Sequence, residues 1–392
     1  MEDRTSKQNS GSRTDKGKRR KLLIITGGFF PAKKYGGPPV SVDNFCSLMQ
    51  DELQCYIVTH NHDMSERNVL PGITKGWNDR GNAKVLYLSD EEFGSKEVDE
   101  VICEISPDYI YLQSLFSSNI PMCLRLAKKH HIKVVLAPRG ELCAGAFKKK
   151  YKKIPYIAVL RMMGLLKGVT FQSTSDEETE AIGKYLGVPK DRIHLLTNIP
   201  SIPHNLPERN AKKAGAGRFV FISRILWKKN LLKAIKFFNG IKGQAIFDIY
   251  GPKEDENYWK ECEEAIKQLP SNVKVNYCGV LSHDDIHKTF CQYDAFLFPT
   301  LSENYGHVIA EALVTGCIPI ISDQTPWTDM NEASAGWALP LSEEDAFKKA
   351  IQEVVDMDED TINAKREAID EYLKGKLQLE KLKEEYMKVF KL

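Results

Sequence analysis

Residues Asp294 to Leu313 read DAFLFPTLSENYGHVIAEAL. Ala295 to Pro299 form a short apolar run suited to an interior parallel strand. Gly306 is a natural break before the helical pattern His307, Val308, Ile309, Ala310, Glu311, Ala312, Leu313. A buried strand, a turn and a helix in that order predict an open α/β sheet. In such a sheet ligands sit at the carboxyl ends of strands, where the next helix directs its free N–H groups and positive dipole end at them. An anion is expected there. Glu303 falls in the loop on one side of that anion and Glu311 about one turn into the helix on the other. Two carboxylates repel an anion, so the ligand must set hydroxyls against them and phosphates against the helix end, because an ionised Glu only accepts hydrogen bonds. A nucleotide sugar carries both kinds of group. Taken alone, the pair also reads as two solvated glutamates, since acidic residues near helix N-termini are favoured in any case.

The same grammar extends in both directions. From Lys21 the chain runs LLIIT, a helix from about Val40 to Gln50, CYIVTH, VLYL, YIYLQ, a helix around Pro121 to His130, and VVLAP. After a loose stretch from Ser201 to Arg218 a second series follows: FVFIS, a helix from about Asn230 to Phe238, AIFDIYG, a helix near Asn257 to Leu269, VKVNYCG, a helix near His283 to Tyr293, AFLFPT and IPIIS. Strands interleaved with helices predict parallel, doubly wound sheets. The expected fold class is α/β, with two doubly wound parallel-sheet domains joined by a flexible segment. The expected boundaries are a disordered basic tail over 1–20, a first domain over 21–203, a linker over 204–217, a second domain over 218–373 and a terminal helix over 374–392.

A chain of 392 residues is too long for one typical core, and 42% hydrophobic content is ample for two. The net charge of +2 argues against a nucleic-acid partner. The nine cysteines are dispersed, without a C-x-x-C pair, and read as reduced thiols of a cytoplasmic protein. Residues 1–20 end in a basic run, and LLIITGGFF is too short and too soon broken by glycines for a signal peptide, so it reads as the first strand. No segment has enough uninterrupted apolar residues to span a bilayer, which leaves peripheral contact as the expected mode of any membrane association.

Around the expected anion, FVFIS ends in SRILWKKN, placing Arg224 and Lys229 at the carboxyl end of the second series' first strand. Cations at a helix start are unfavourable without a bound anion, so a pair of them favours a diphosphate over a merely basic loop. They would also stabilise charge on a departing nucleotide. Gly36 and Gly37, in FFPAKKYGGPPVSV, follow the first strand and let backbone approach a ligand closely, although a G-G pair before prolines also serves a simple turn. Arg139, in VVLAPRGEL, sits at another strand end.

Within PTLSENYGHVIAEALVTGCIPIISD, the spacing of Glu303 and Glu311 resembles the paired-glutamate motif of retaining glycosyltransferases of family 4, GT-B enzymes, and the resemblance implies two Rossmann-like domains facing across a cleft. The resemblance covers nearly everything after residue 20. It implies that Glu303 faces the donor sugar and that Glu311 binds the ribose hydroxyls. It assigns Asn304, Tyr305, Gly306 and His307 to the donor site between them, and to Arg224 and Lys229 the grip on the donor phosphates. The glycine loop matches Gly36 and Gly37. Gly251 in FDIYGP, with Val280 and Leu281 in YCGVLS, is implied to cradle the nucleobase through backbone, which leaves uracil and guanine indistinguishable in side-chain identity. Many family members have a histidine beside Gly140; Arg139 in its place resembles a polysaccharide-type subgroup. Arg139 is assigned to substrate contact or to a structural ion pair, and no general base is named. The family's terminal helix returns to the first domain, and the same is expected over 374–392.

Catalysis is therefore expected from Glu303, Arg224 and Lys229, with a nucleoside diphosphate sugar as donor and a saccharide or lipid-pyrophosphate-linked saccharide as acceptor in cell-surface polysaccharide assembly. Lys148, Lys149, Lys150, Lys152 and Lys153 read first as a solvated face, and otherwise as a patch holding an anionic membrane at the inner face of the plasma membrane. No cofactor and no metal are expected: the chain has no D-x-D triplet at the donor site, and His60, His62, His130 and His131 lack carboxylate or cysteine partners at ligand spacing. A nucleotide-sugar epimerase, with Glu141 as an acid or base, and a non-catalytic nucleotide-sugar-binding scaffold are the rival classes. A scaffold would not require Glu303, Glu311, Arg224 and Lys229 together.

Overall fold

The computed structural model describes residues 19–143, 147, 150–201, 203 and 205–392. The first domain comprises β1 (Arg20–Ile25), α1 (Gly37–Leu48), β2 (Leu53–His60), β3 (Trp77–Arg80), β4 (Ala83–Leu88), α2 (Ser95–Ile105), β5 (Tyr109–Gln113), α3 (Ile120–Lys129), β6 (Lys133–Ala137), α4 (Lys150–Met162), β7 (Thr170–Ser173), α5 (Asp176–Ala181) and β8 (Ile193–Leu195). Its eight strands lie in the order β3-β4-β2-β1-β5-β6-β7-β8, parallel except for the antiparallel edge strand β3. Leu23 and Ile25 of β1 point into one core and Leu22 and Ile24 into another, so the period-two alternation of a strand fills both faces of the sheet.

The second domain comprises β9 (Ala216–Ile222), α6 (Leu231–Lys236), β10 (Gln244–Tyr250), α7 (Glu256–Lys267), β11 (Val273–Tyr277), α8 (Ile286–Phe290), β12 (Ala295–Phe298), α9 (His307–Val314), β13 (Ile318–Ser322), β14 (Trp337–Leu339), α10 (Glu344–Asp356), α11 (Glu359–Lys376) and α12 (Leu379–Phe390). Its six strands are all parallel, in the order β11-β10-β9-β12-β13-β14. That is the Rossmann order 3-2-1-4-5-6, and β4-β2-β1-β5-β6-β7 repeats it in the first domain. The strand order reverses between β9 and β12, which makes the gap beyond their carboxyl ends the place for a ligand.

Two segments differ from the expected boundaries. Residues 1–18 of the expected tail lie outside the described residues, and Arg20 already pairs with Leu53 as the first residue of β1. In the expected linker, Lys212 is buried against the second domain, its ammonium donating to the carbonyls of Ala216 and Lys213 and its backbone N–H to Glu359, so that domain begins before Ala216. At the other end α12 crosses back. Tyr386, Val389 and Phe390 enter the first domain's core beside Phe45 and Tyr111, Gln172 donates to the Tyr386 hydroxyl at 3.0 Å, and Lys383 pairs with Glu52.

Candidate active site

The end of β9 and the end of β12 are stitched into one rim. Asn230, left-handed at φ 59°, donates its amide to the Pro299 carbonyl at 2.9 Å, and Leu301 N–H reaches Lys228 O at 2.9 Å. This fixes Lys229 over the rim, its ammonium 5.3 Å from the Phe298 ring centre and paired with the Glu303 carboxylate, both side chains more than four-fifths buried. Arg224, half-exposed on the same loop, pairs with Glu254 at 3.3 Å. Each cation thus carries a carboxylate, which a diphosphate arriving between them would have to displace or share.

Gly306, at φ 78° and ψ 62°, turns the chain into α9, whose first residues line the cleft. One turn on, Glu311 is 3% exposed, and burial alone pushes its carboxyl up to about 7. Gly251 is fixed by proximity: at φ 142° a Cβ there would lie 1.8 Å from the Ser223 carbonyl oxygen. The β10 turn therefore lies directly on the β9 loop, and only glycine fits.

The first domain closes the other side. A Cβ on Gly37 would stand 3.1 Å from the His307 ring, and Ser41 of α1 is 2.7 Å from His307 Nε2. His307 is driven down to about 3 by burial first and then by the nearby Arg139 charge, so it is a neutral imidazole. Phe30 stacks on His283 with ring centres 4.6 Å apart. Arg139 sits at φ 56° and donates to the Gln113 and Asn198 amide oxygens, each at 2.8 Å, and to the Tyr111 hydroxyl at 3.2 Å. Those partners are uncharged, so among the described residues Arg139 makes no ion pair and its charge stays in the cleft.

Every residue assigned to donor or catalysis from the sequence, from Gly36 and Gly37 through Arg139, Arg224, Lys229, Gly251, Val280 and Leu281 to the run Glu303–His307 and Glu311, lines one cleft of about 770 Å³ between the domains. The sequence reading missed Ser41, Asn198, Phe30, His283 and Glu254, whose partners are distant in the chain. It also missed Glu178, which is fully buried and accepts from Gly140 N–H at 2.5 Å and Thr174 N–H at 2.8 Å, fixing the turn that presents Arg139. The only local sign of Glu178 is its place in a capped helix start, where Ser175 accepts its N–H.

Three expectations are corrected. Glu141 caps a turn, accepting Ser114 Oγ–H at 2.7 Å and Leu115 N–H at 2.6 Å, and its carboxylate is committed there and is not among the cleft-lining residues. Lys153 turns inward, donating to Glu141 O at 3.1 Å and lying 4.4 Å from the Phe116 ring centre, whereas Lys152 is exposed. Lys148 and Lys149 lie outside the described residues, as does the Lys150 side chain. Finally, His60 and His62 do have a carboxylate partner, Asp90, at 3.1 and 3.0 Å, and His130 meets Asp99 at 2.6 Å.

Residues 204–375, the segment that holds Arg224, Lys229, Glu303 and Glu311, match the family "Glycosyl transferases group 1". The chain is a glycosyltransferase. An uncharacterized 41.2 kDa protein in the cps region of Klebsiella pneumoniae is 24% identical over 308 residues, covering 72% of this chain and 78% of that protein. Among solved structures, WaaG, a glycosyltransferase involved in lipopolysaccharide biosynthesis, is similar with a TM-score of 0.62 at 12% identity, covering 94% of this glycosyltransferase and 99% of that chain. TarM of S. aureus, in complex with fondaparinux, alpha-GlcNAc-glycerol and UDP, gives a TM-score of 0.65 at 12% identity, with coverage of 95% and 99%. These structures share the glycosyltransferase's GT-B fold of two facing α/β domains.

Proposed function

We propose that this glycosyltransferase moves a sugar, with retention of anomeric configuration, from a nucleoside diphosphate sugar to a saccharide or lipid-linked saccharide in cell-surface polysaccharide assembly. The observation that carries the donor reading is the convergence of Arg224, Lys229 and the α9 N-terminus on the switch point of the second sheet, with Glu311 buried one turn behind. A diphosphate entering between the cations takes Lys229 from Glu303 and Arg224 from Glu254. Glu303 is then free to accept hydroxyls of the transferred sugar, and Glu311 those of the ribose. UDP in the TarM structure supports a nucleotide in the equivalent fold, and the cps and lipopolysaccharide relatives support a polysaccharide setting.

In this scheme the bond from the anomeric carbon to the β-phosphate oxygen breaks while the acceptor oxygen bonds to the same face of that carbon. The acceptor proton passes to the departing phosphate, so no protein nucleophile is needed. Arg224, Lys229 and the α9 N–H groups stabilise the charge that grows on the leaving nucleotide, and no metal is assigned to the phosphates. Arg139, held rigid opposite, is assigned to an anionic part of donor or acceptor.

A membrane-borne acceptor is favoured by α4. Its inner face carries Ile157 and Leu160, while Tyr151 is 72% exposed, Met162 83%, Ile154 49% and Val159 46%, an apolar outer face beside Lys152. Among the described residues no helix is long and apolar enough to cross a membrane.

Nucleotide release from a panel of UDP- and GDP-sugars tests the donor reading. Slow release from one donor, lost in Glu311→Ala and Arg224→Ala, is the expected result. Binding of a donor without turnover across a range of acceptors would return the chain to the scaffold class, and no binding of any donor would overturn the donor reading.

A further inference from the structure

Near one edge of the first domain's sheet, β2 and β4 run parallel, with His60 opposite Leu88 at their carboxyl ends. Two residues further along each strand direction stand His62 and Asp90, so the register delivers a carboxylate to a pair of imidazoles 28 residues away in sequence. His60 Nδ1, His62 Nε2 and an Asp90 carboxylate oxygen all lie within 4.8 Å of one another. Asp90 Oδ1 stands between the two rings, 3.1 Å from His60 Nδ1 and 3.0 Å from His62 Nε2.

With both rings neutral, the hydrogen bonds of this trio do not close, and either a second proton on His62 or a cation must complete them. His62 Nδ1 lies 2.9 Å from the Asp63 carbonyl oxygen, which can only accept, so Nδ1 carries the proton. In the neutral ring Nε2 is then a bare lone pair aimed at a carboxylate oxygen. His60 Nδ1 is buried and makes no hydrogen bond, although the same oxygen is near. Two ring nitrogens and a carboxylate oxygen facing one point is a donor set for a cation. A ring N–H given to a backbone carbonyl is the usual way a metal-binding histidine is oriented. Adjacent ligand atoms around a tetrahedral zinc, at bond lengths of about 2.0 Å, stand about 3.3 Å apart, close to the two separations found here. Asp90 is 64% exposed, which leaves an entry path from solvent and room for a further ligand.

We propose that His60, His62 and Asp90 bind a divalent transition-metal ion of the zinc type, at a site separate from the donor phosphates. The next residue suggests what it does there. The Asp63 carboxylate accepts the backbone N–H groups of Lys33 and Lys34 at 2.8 and 2.9 Å, and Lys33 lines the cleft. A metal on His62 therefore braces the turn that holds the rim loop of the first domain.

The test uses the full chain stripped of metal and titrated with Zn²⁺ by calorimetry, and with Co²⁺ by visible absorption, with thermal melts in parallel. The expected result is one ion per chain bound through nitrogen and oxygen donors, a melting temperature that rises with Zn²⁺, and binding weakened more than about 100-fold in both His62→Ala and Asp90→Asn. His130→Ala, which alters an unrelated histidine–aspartate pair, should bind as the wild type does. Asp90→Asn changes an exposed side chain by one atom, so it keeps the test valid if His62→Ala unfolds. No stoichiometric binding by the wild type overturns the proposal. So does binding undiminished in both variants, or a cobalt spectrum with thiolate charge-transfer bands, which would place the ion on cysteines such as the exposed Cys103 and Cys278.

Discussion

Glu311 shows how a single buried carboxyl ties stability to ligand binding. Burial raises it from 4.5 to about 7. A carboxyl raised in the folded state favours folding while it is neutral and loses that advantage as pH climbs through about 7, a difference on the order of 3 kcal/mol across the window. Glu311→Gln should therefore raise the melting temperature of the donor-free protein at pH 8 and change it little at pH 4.5. A donor whose hydroxyls need an ionised acceptor should also bind more weakly below pH 7, approaching tenfold per unit, with this slope absent in the Gln variant; isothermal titration across pH 5.5 to 8.5 reads it. At Gly251, the 1.8 Å approach to Ser223 O means that Gly251→Ala must shift the backbone itself. A loss of more than about 1 kcal/mol is expected in urea denaturation, with lost donor affinity alongside.

At the scale of elements, the strands named from sequence were those within clear apolar runs, and the structure contains them. Those not named are short or polar: β3 reads WNDR at the sheet edge, β8 and β14 have three residues each, and β7 has four. Such segments become strands only because a neighbour offers a ladder, which no local pattern can show. The candidate site was legible where both partners sit in one strand–turn–helix unit, as with Glu303 and Glu311. It was illegible where strand register joins distant residues, as with His62 and Asp90, or where two domains meet, as with Ser41 and His307. Lys153 looked like one more member of a charged run because its partner, the Glu141 carbonyl, is backbone. The outer face of α4 carries its own prediction: Tyr151→Asp with Met162→Asp should cut pelleting with anionic vesicles several-fold while leaving the melting temperature nearly unchanged, since both side chains are exposed. Unchanged pelleting would remove the membrane role.

For the whole molecule, contacts between the two domains beside the cleft include Gly37 and Ser41 against His307, Gly140 against Asn304, and Phe30 on His283. Gly37→Val should hold the halves apart, raising KM for the acceptor more than it lowers overall stability; steady-state kinetics beside a thermal melt separates the two. The return of α12 has a different weight. Phe390 is fully buried among Phe45, Tyr109 and Tyr111, and Phe390→Ala should cost about 3–5 kcal/mol, read as earlier unfolding of the first domain. Because that helix follows the entire second domain in the chain, the ribosome makes the first domain's last core residues well after the rest of that domain has emerged. Until then the aromatic pocket of Phe45, Tyr109 and Tyr111 lacks its last side chain. The core of the half made first is completed only by the residues made last.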